Sequence, residues 1–169
     1  MWRAMTEDDL AGVNAIAAVV HPGYPEDAAI FEERLALYPE GCQVLVATRD
    51  VLVATSGALA GYIVSHPWRD REPPPLNSLL GALPAQPSTY YIHDIALLPD
   101  ARGAGVAKTI AAALIDHARQ AGLPAVSLVA VNRSQAFWRR MGFQRVDDER
   151  LAAKLASYDG EACLMELRL

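Results

Sequence analysis

The stretch Leu97-Leu98-Pro99-Asp100-Ala101-Arg102-Gly103-Ala104-Gly105-Val106-Ala107-Lys108-Thr109-Ile110 decides how the chain is read. Ahead of it, Tyr90 to Leu97 is an apolar, β-favouring run; behind it, Ile110, Leu114, Ala118 and Ala121 recur on one helical face. A strand therefore passes into a helix through a short loop. Gly103 and Gly105 allow the backbone there to turn its N–H groups toward a single point. The unpaired amides and the positive dipole end of a helix start favour an anion such as a phosphate or pyrophosphate, and Arg102 adds a positive charge.

Spacing separates the phosphate loops that fit this description. A Walker loop needs a glycine immediately before its lysine, and the residue before Lys108-Thr109 is Ala107. A Rossmann fingerprint needs a third glycine where Lys108 stands. What remains is Arg-x-x-Gly-x-Ala, formed by Arg102, Gly105 and Ala107 directly after a Leu-x-Pro strand end. This pattern resembles the coenzyme A loop of the GNAT superfamily of N-acetyltransferases.

A second block, Asn132-Arg133-Ser134-Gln135-Ala136-Phe137-Trp138-Arg139-Arg140-Met141-Gly142-Phe143, resembles the downstream motif of that superfamily, in which an Asn opens a short helix that carries aromatics and ends in Gly-Phe. Its own spacing agrees: Ala136, Phe137, Arg140 and Met141 are helically spaced, and Gly142 suits a left-handed C′ position. The resemblance is specific over Tyr90 to Val146 and reaches the rest of the chain only through element order.

The 169 residues, 52% hydrophobic and 21% charged, suit one globular domain over 1–169 with a substantial core. A net charge of −5 argues against nucleic acid as a partner and suits a cationic substrate such as an amine. Cys42 and Cys163 form neither a disulfide framework nor a metal-ligand cluster, and read as buried thiols in a reducing cytoplasm; no metal is expected. No apolar run reaches membrane-spanning length, and Met1-Trp2-Arg3 leads into an acidic helix start instead of a signal sequence. A cytoplasmic protein without a membrane partner is expected. The residues leave its oligomeric state open between a monomer and a homodimer.

In chain order, a strand at Trp2 to Met5 precedes a capping box of Thr6 and Asp9 and a helix burying Leu10, Val13, Ile16 or Ala17, and Val20. His21-Pro22-Gly23-Tyr24 breaks it. A second helix starts at Pro25, with Glu26 and Asp27 at its positive end and Ile30, Phe31, Leu35 and Tyr38 inward. Strands follow at Gln43 to Thr48 and Ala58 to Ser65, with Val51 to Thr55 either extending the first or pairing separately. From His66 to Ser88 prolines forbid a long helix or a central strand, although Leu76 to Leu83 has room for one helical turn. This segment reads as a lid or wall over an acceptor site anchored by Trp68, or equally as a surface excursion pinned by that residue. Strands at Tyr90 to Leu97, Ala125 to Val131, Phe143 to Val146 and Glu161 to Leu169 alternate with helices at Val106 to Ala121 and Ser134 to Met141. This order gives an α/β, or α+β, fold with a central mixed, mostly antiparallel sheet and helices on both faces, which is also the acyl-CoA N-acyltransferase fold the resemblance implies.

The resemblance implies transfer of the acetyl group of acetyl-CoA to a primary amine of a small molecule or protein, by direct attack in a ternary complex. An alkylamine with a pKa of about 10.4 is almost wholly protonated at neutral pH, so desolvation or a base must help. In family members with a histidine or glutamate base, that base lies on the strand before the coenzyme loop, at positions matching His93 and Tyr91. Alternation places Tyr91, His93, Ile95 and Leu97 on one face and Ile92, Asp94 and Ala96 on the other. His93 is therefore the candidate base, directly or through water, against the plainer reading of a core histidine. Asp94 reads first as a partner to a neighbouring loop.

By resemblance, the N–H near Leu97 polarises the thioester oxygen, Ile95, Ala96 and Leu97 ladder along pantetheine, and the backbone of Arg102, Gly103, Ala104, Gly105, Val106 and Ala107 holds the pyrophosphate with Lys108 or Thr109 nearby. Asn132, Ser134, Phe137 and Trp138 would meet the pantetheine or adenosine side. The family often places a tyrosine four residues before Gly-Phe to protonate the leaving thiolate; this chain has Trp138 there. An indole is not an acid at neutral pH, so Tyr158, Tyr90 or water replaces it, or no acid is needed. That departure keeps a second reading in play, a CoA-binding sensor or interaction module with weak turnover. A nucleotide-binding α/β domain fits the loop spacing less well.

Overall fold

A computed structural model describes residues 1–47, 57–103, 105–131 and 133–169. Strand β1 (Trp2–Ala4) leads into a single 3-10 turn capped as the sequence suggests. The Asp9 carboxylate accepts from the Thr6 amide at 2.8 Å and the Thr6 hydroxyl at 3.0 Å, while Arg3 donates to both of its oxygens at 2.7 Å. Helix α1 (Leu10–Val20) buries Val13 and Ile16. Helix α2 (Ala28–Leu37) begins three residues later than Pro25, because Asp27 is held extended as its N-cap: its amide donates to Asn77 Oδ1 at 2.8 Å. Burial of Arg34 alongside Ile30, Phe31 and Leu35 on α2 was not expected from its residue type.

Strands β2 (Cys42–Val46), β3 (Leu59–Trp68) and β4 (Thr89–Leu97) form an antiparallel meander. They are followed by α3 (Val106–Gln120), β5 (Ala125–Ala130), α4 (Gln135–Arg140), β6 (Gln144–Arg145), α5 (Leu151–Leu155) and β7 (Cys163–Arg168). The seven strands lie in the order β1-β2-β3-β4-β5-β7-β6, and only β4 and β5 run parallel. One face of the sheet packs α1 and α2 around Val13, Phe31, Val44, Tyr62 and Val64. The other packs α3 and α4 around Ile110, Leu114, Ala118, Trp138 and Phe143. Of the stripe expected on α3, Ile110, Leu114 and Ala118 are buried, whereas Ala121 is exposed at the helix C-cap; truncating Leu114 to alanine would cost about 2–5 kcal/mol. Both cysteines are buried and unbridged. The expected segment Val51 to Thr55 lies outside the described residues.

Three expectations are corrected. Strand β3 runs on through Pro67 to Trp68, where the prolines were expected to stop it. Its pairing with β2 ends at Val64, opposite Cys42, so from Ser65 onward β3 has a neighbour on one side only and tolerates proline as an edge strand does. No helix forms at Leu76 to Leu83; only a turn at Leu76-Asn77 does, with Asn77 at φ 56°.

The third correction matters more. Val64 pairs with Asp94 and Ser65 with Ile92, so His93 is an extra, bulged residue in β4. Strict alternation through the strand therefore fails: Ile92 and Ile95 pack on the same face, against α3. The bulge sends His93 and Asp94, neighbours in sequence, both to partners in the α1–α2 connection.

Candidate active site

Strands β4 and β5 pair only from Tyr90 with Val126 to Ile92 with Leu128. Past the bulge they part, and the seam between them opens into a cavity of about 580 Å³ walled by Leu97, Leu128, Val129 and Val131. Leu98 N donates across to Ala60 O on the β3 side at 2.8 Å, so the Leu97 amide and carbonyl point the other way, into the seam. Two bonds agree with that orientation: the Leu97 carbonyl accepts from Arg102 Nε at 3.1 Å, and the Ile95 carbonyl lies 3.3 Å from His21 Nε2.

At one end of the cavity stands the glycine loop. Gly103 (φ 100°) and Gly105 (φ 72°) adopt left-handed conformations that L side chains avoid, and Gly105 caps α3. Thr109 N is bonded to Gly105 O at 2.9 Å, which leaves the amides of Val106, Ala107 and Lys108 without a helical partner. These three residues, with Arg102, Gly103 and Gly105, line the cavity, and Arg140 on α4 adds a cation that the sequence reading missed. The donor set fits a diphosphate. Ser134, Phe137 and Trp138 form the adjoining wall. The Trp138 indole is buried edge-to-face between Phe137 at 4.8 Å and Phe143 at 5.2 Å, so it serves core and cavity together. Ile95 also lines the cavity, but the Ala96 side chain packs on the opposite face. Ala104 and Asn132 lie outside the described residues.

At the other end, two carboxylate–imidazole pairs meet. His93 Nε2 is 2.9 Å from Glu26 Oε1, with the two side chains 1% and 6% exposed. The second Glu26 oxygen accepts from the Asn77 amide at 3.1 Å. Beside this pair, His21 Nε2 is 3.0 Å from Asp94 Oδ1, and the buried Tyr62 hydroxyl donates to Asp94 Oδ2. Burial opposes a charged His21, but the hydrogen bond and charge of Asp94 outweigh it and raise its pKa. Burial likewise works against the Asp94 carboxylate, and the bonds from His21 and Tyr62 hold its pKa below the ordinary value. Asp94 is thus the partner of a neighbouring loop. Glu26 is no helix-end decoration but the companion of His93.

Of the tyrosines considered as acids, Tyr158 lines this end and Tyr90 does not. Burial pushes the Tyr158 phenol up to about 12, and its hydroxyl donates to the Pro74 carbonyl at 3.1 Å. Tyr90 packs between Tyr38 and His117 and bonds Ser65 Oγ at 2.9 Å. The proline-rich segment is pinned as a wall: Leu80 and Gly81 donate to Glu33 at 2.7 and 2.9 Å, Arg34 donates to the Ser78 carbonyl at 3.0 Å, and Leu76 lines the cavity. Trp68 is buried and anchors the start of the segment by donating to the Glu72 carbonyl at 2.8 Å.

The sequence reading missed His21, Tyr24, Glu26, Leu76 and Arg140. The only signal for the first three was an acidic, aromatic connection between two helices, and nothing local ties such a connection to β4.

A strand that parts from its parallel neighbour beside a glycine-capped helix leaves an open seam that ends in a set of amides suited to an anion. A family model described as the acetyltransferase (GNAT) family matches residues 10–143, and the chain belongs to that family of acyltransferases. Among solved structures it is similar to the NatC complex bound to Gag peptide and CoA (21% identity, 100% of this chain and 98% of that chain, TM-score 0.72). It is similar also to a GphF GNAT-like decarboxylase in complex with isobutyryl-CoA (16%, 99% and 98%, TM-score 0.77) and to the ribosomal-protein-S18-alanine N-acetyltransferase from Escherichia coli (16%, 99% and 92%, TM-score 0.64). At these identities the likeness is one of fold. No curated protein matches the chain. Among the described residues no helix is long and apolar enough to cross a membrane.

Proposed function

We propose that the protein transfers an acetyl group from acetyl-CoA to a primary amine by direct attack in a ternary complex. One observation carries this: a single cavity runs from the free amides at the start of α3, along the open edge of β4, to two buried carboxylate–imidazole pairs. Acetyl-CoA supplies the activated acetyl group as a thioester. The amides of Val106, Ala107 and Lys108 hold its diphosphate, the outward Ile95 N–H faces its pantetheine arm, and Ser134, Phe137 and Trp138 flank it. The Leu97 N–H polarises the carbonyl under attack.

The acceptor arrives as an ammonium ion, drawn by Glu26 and Asp94. The His93–Glu26 pair takes its proton, directly or through water. The amine nitrogen then forms the C–N bond as the C–S bond breaks, and the second amine proton leaves to solvent. Tyr158, with a pKa near 12, keeps its proton and donates a hydrogen bond; a thiol of pKa about 8.5 leaves as thiolate without an acid.

A second reading rests on Trp138. With a buried indole where the family often has a tyrosine, α4 offers no acid, and the chain would bind CoA with little turnover. Calorimetry with CoA and acetyl-CoA, followed by thiol release in the presence of amines, separates the two. Heat with amine-dependent release supports transfer, and heat without release supports the second reading. No heat with either ligand overturns both.

A further inference from the structure

The acceptor end carries information on what it admits. Three segments converge there: the α1–α2 connection, the proline-rich wall, and the α5–β7 connection. The Tyr24 hydroxyl donates to Asp159, tying the first to the third. The Leu76 amide donates to Ser157 Oγ at 3.0 Å and Tyr158 to Pro74, tying the second to the third. Asn77 closes the ring on the first segment through Glu26 and Asp27. These bonds roof the acceptor end.

Under that roof the carboxylates already hold the imidazoles as partners. Among the described residues lining the cavity, the cations Arg102, Lys108 and Arg140 stand with the glycine loop and α4. The acceptor end has Glu26, Asp94 and two imidazoles already committed to those carboxylates. The nearby Arg34 guanidinium is 1% exposed, donates to Glu33 and the Ser78 carbonyl, and does not line the cavity. An ammonium group is welcome here, but a second, anionic group on the same molecule would meet carboxylates, and the one imidazole there with a raised pKa, His21, is already held by Asp94 and the Ile95 carbonyl. Val20, Leu76 and the rings of Tyr24 and Tyr158 offer an apolar and aromatic surface for the rest of the acceptor.

We infer that the acceptor is a small primary amine with an apolar or aromatic body and no carboxylate, and is neither a free amino acid nor a polypeptide. This rests on the N-acetyltransferase reading and narrows it. The test compares 2-phenylethylamine, phenylalanine and a peptide with N-terminal phenylalanine, in kcat/KM by thiol release and in binding to the CoA-loaded protein by calorimetry. The expected result is a preference for the amine of about 100-fold over both competitors, because desolvating a carboxylate beside Glu26 and Asp94 is strongly unfavourable and the roof excludes the peptide. Equal or better use of phenylalanine or the peptide overturns the inference. The binding arm does not depend on turnover: if thiol release is absent, tighter binding of the amine still supports the inference while the transferase reading fails, and equal affinities overturn it. Tyr24→Phe removes the hydroxyl that reaches Asp159 and is expected to shift the peptide-to-amine ratio at least threefold toward the peptide. An unchanged ratio overturns the roof as the source of the selectivity.

Discussion

Nε2 of His93 lies 2.9 Å from Oε1 of Glu26, which is 67 positions earlier in the chain. The carboxylate fixes the orientation of the imidazole and gives it a hydrogen-bond partner across the fold. Glu26→Gln keeps the shape and removes the charge. It is expected to lower kcat/KM for an amine by about 10- to 1,000-fold, the range for loss of acid–base assistance, while CoA affinity by calorimetry changes less than about twofold. Unaltered amine kinetics would remove the pair from the proposed machinery.

The His21–Asp94 pair makes stability depend on pH with a definite sign. His21 has a raised pKa, so its contribution is full below its unfolded value of about 6.5 and is lost as pH rises through the higher folded value. Asp94 has a lowered pKa, so its contribution is present above about 3.9 and is lost as pH falls through the lower folded value. The Tm deficit of His21→Gln against the wild type is therefore expected to be largest near pH 5 to 6 and smaller by pH 9. A deficit that grows with pH would contradict the charge state assigned to the pair.

Gly105 holds φ 72° at the start of α3, and any side chain there is strained by about 1–2 kcal/mol. Gly105→Ala is expected either to lower Tm by that strain or to relieve it by swinging the amides of the loop out of line. The second outcome should weaken CoA binding about tenfold in calorimetry. Ala104→Gly, beside it in the chain, serves as the comparison.

Asp9 answers a different question, whether the Thr6 cap and the Arg3 clamp hold the start of α1. Its carboxyl is pulled down to about 2, chiefly by the hydrogen bonds from Arg3. Stability from this group is present above its unfolded pKa and is lost as pH falls through that lower value. Asp9→Asn is expected to cost about 1 kcal/mol near neutrality, with the gap to the wild type closing below about pH 3. Thermal unfolding across acid pH measures it.

The parts of this protein written locally were legible from residues alone. The glycine loop announced itself because left-handed backbone and a helix start both select residue types, and the α3 stripe announced itself by periodicity. The β4 bulge did not. One extra residue in Tyr90 to Leu97 leaves no mark on composition, yet it moves Ile92 and Ile95 to a common face and sends His93 and Asp94 to one loop. Glu26 and His21 were hidden for a related reason. Each sits in a connection whose residues favour turns and helix starts on their own account, and only the closing of the sheet brings them to β4. Arg34 and Pro67 show the same limit: their types speak for the surface and for loops, and their neighbours overrule both.

The carboxylates proposed to attract the acceptor also bear on how its product leaves. Acetylation turns an ammonium ion into an uncharged amide, so the proposed reaction would abolish the feature that Glu26 and Asp94 hold on to. In that reaction, release of the product would follow from the charge pattern of the chamber.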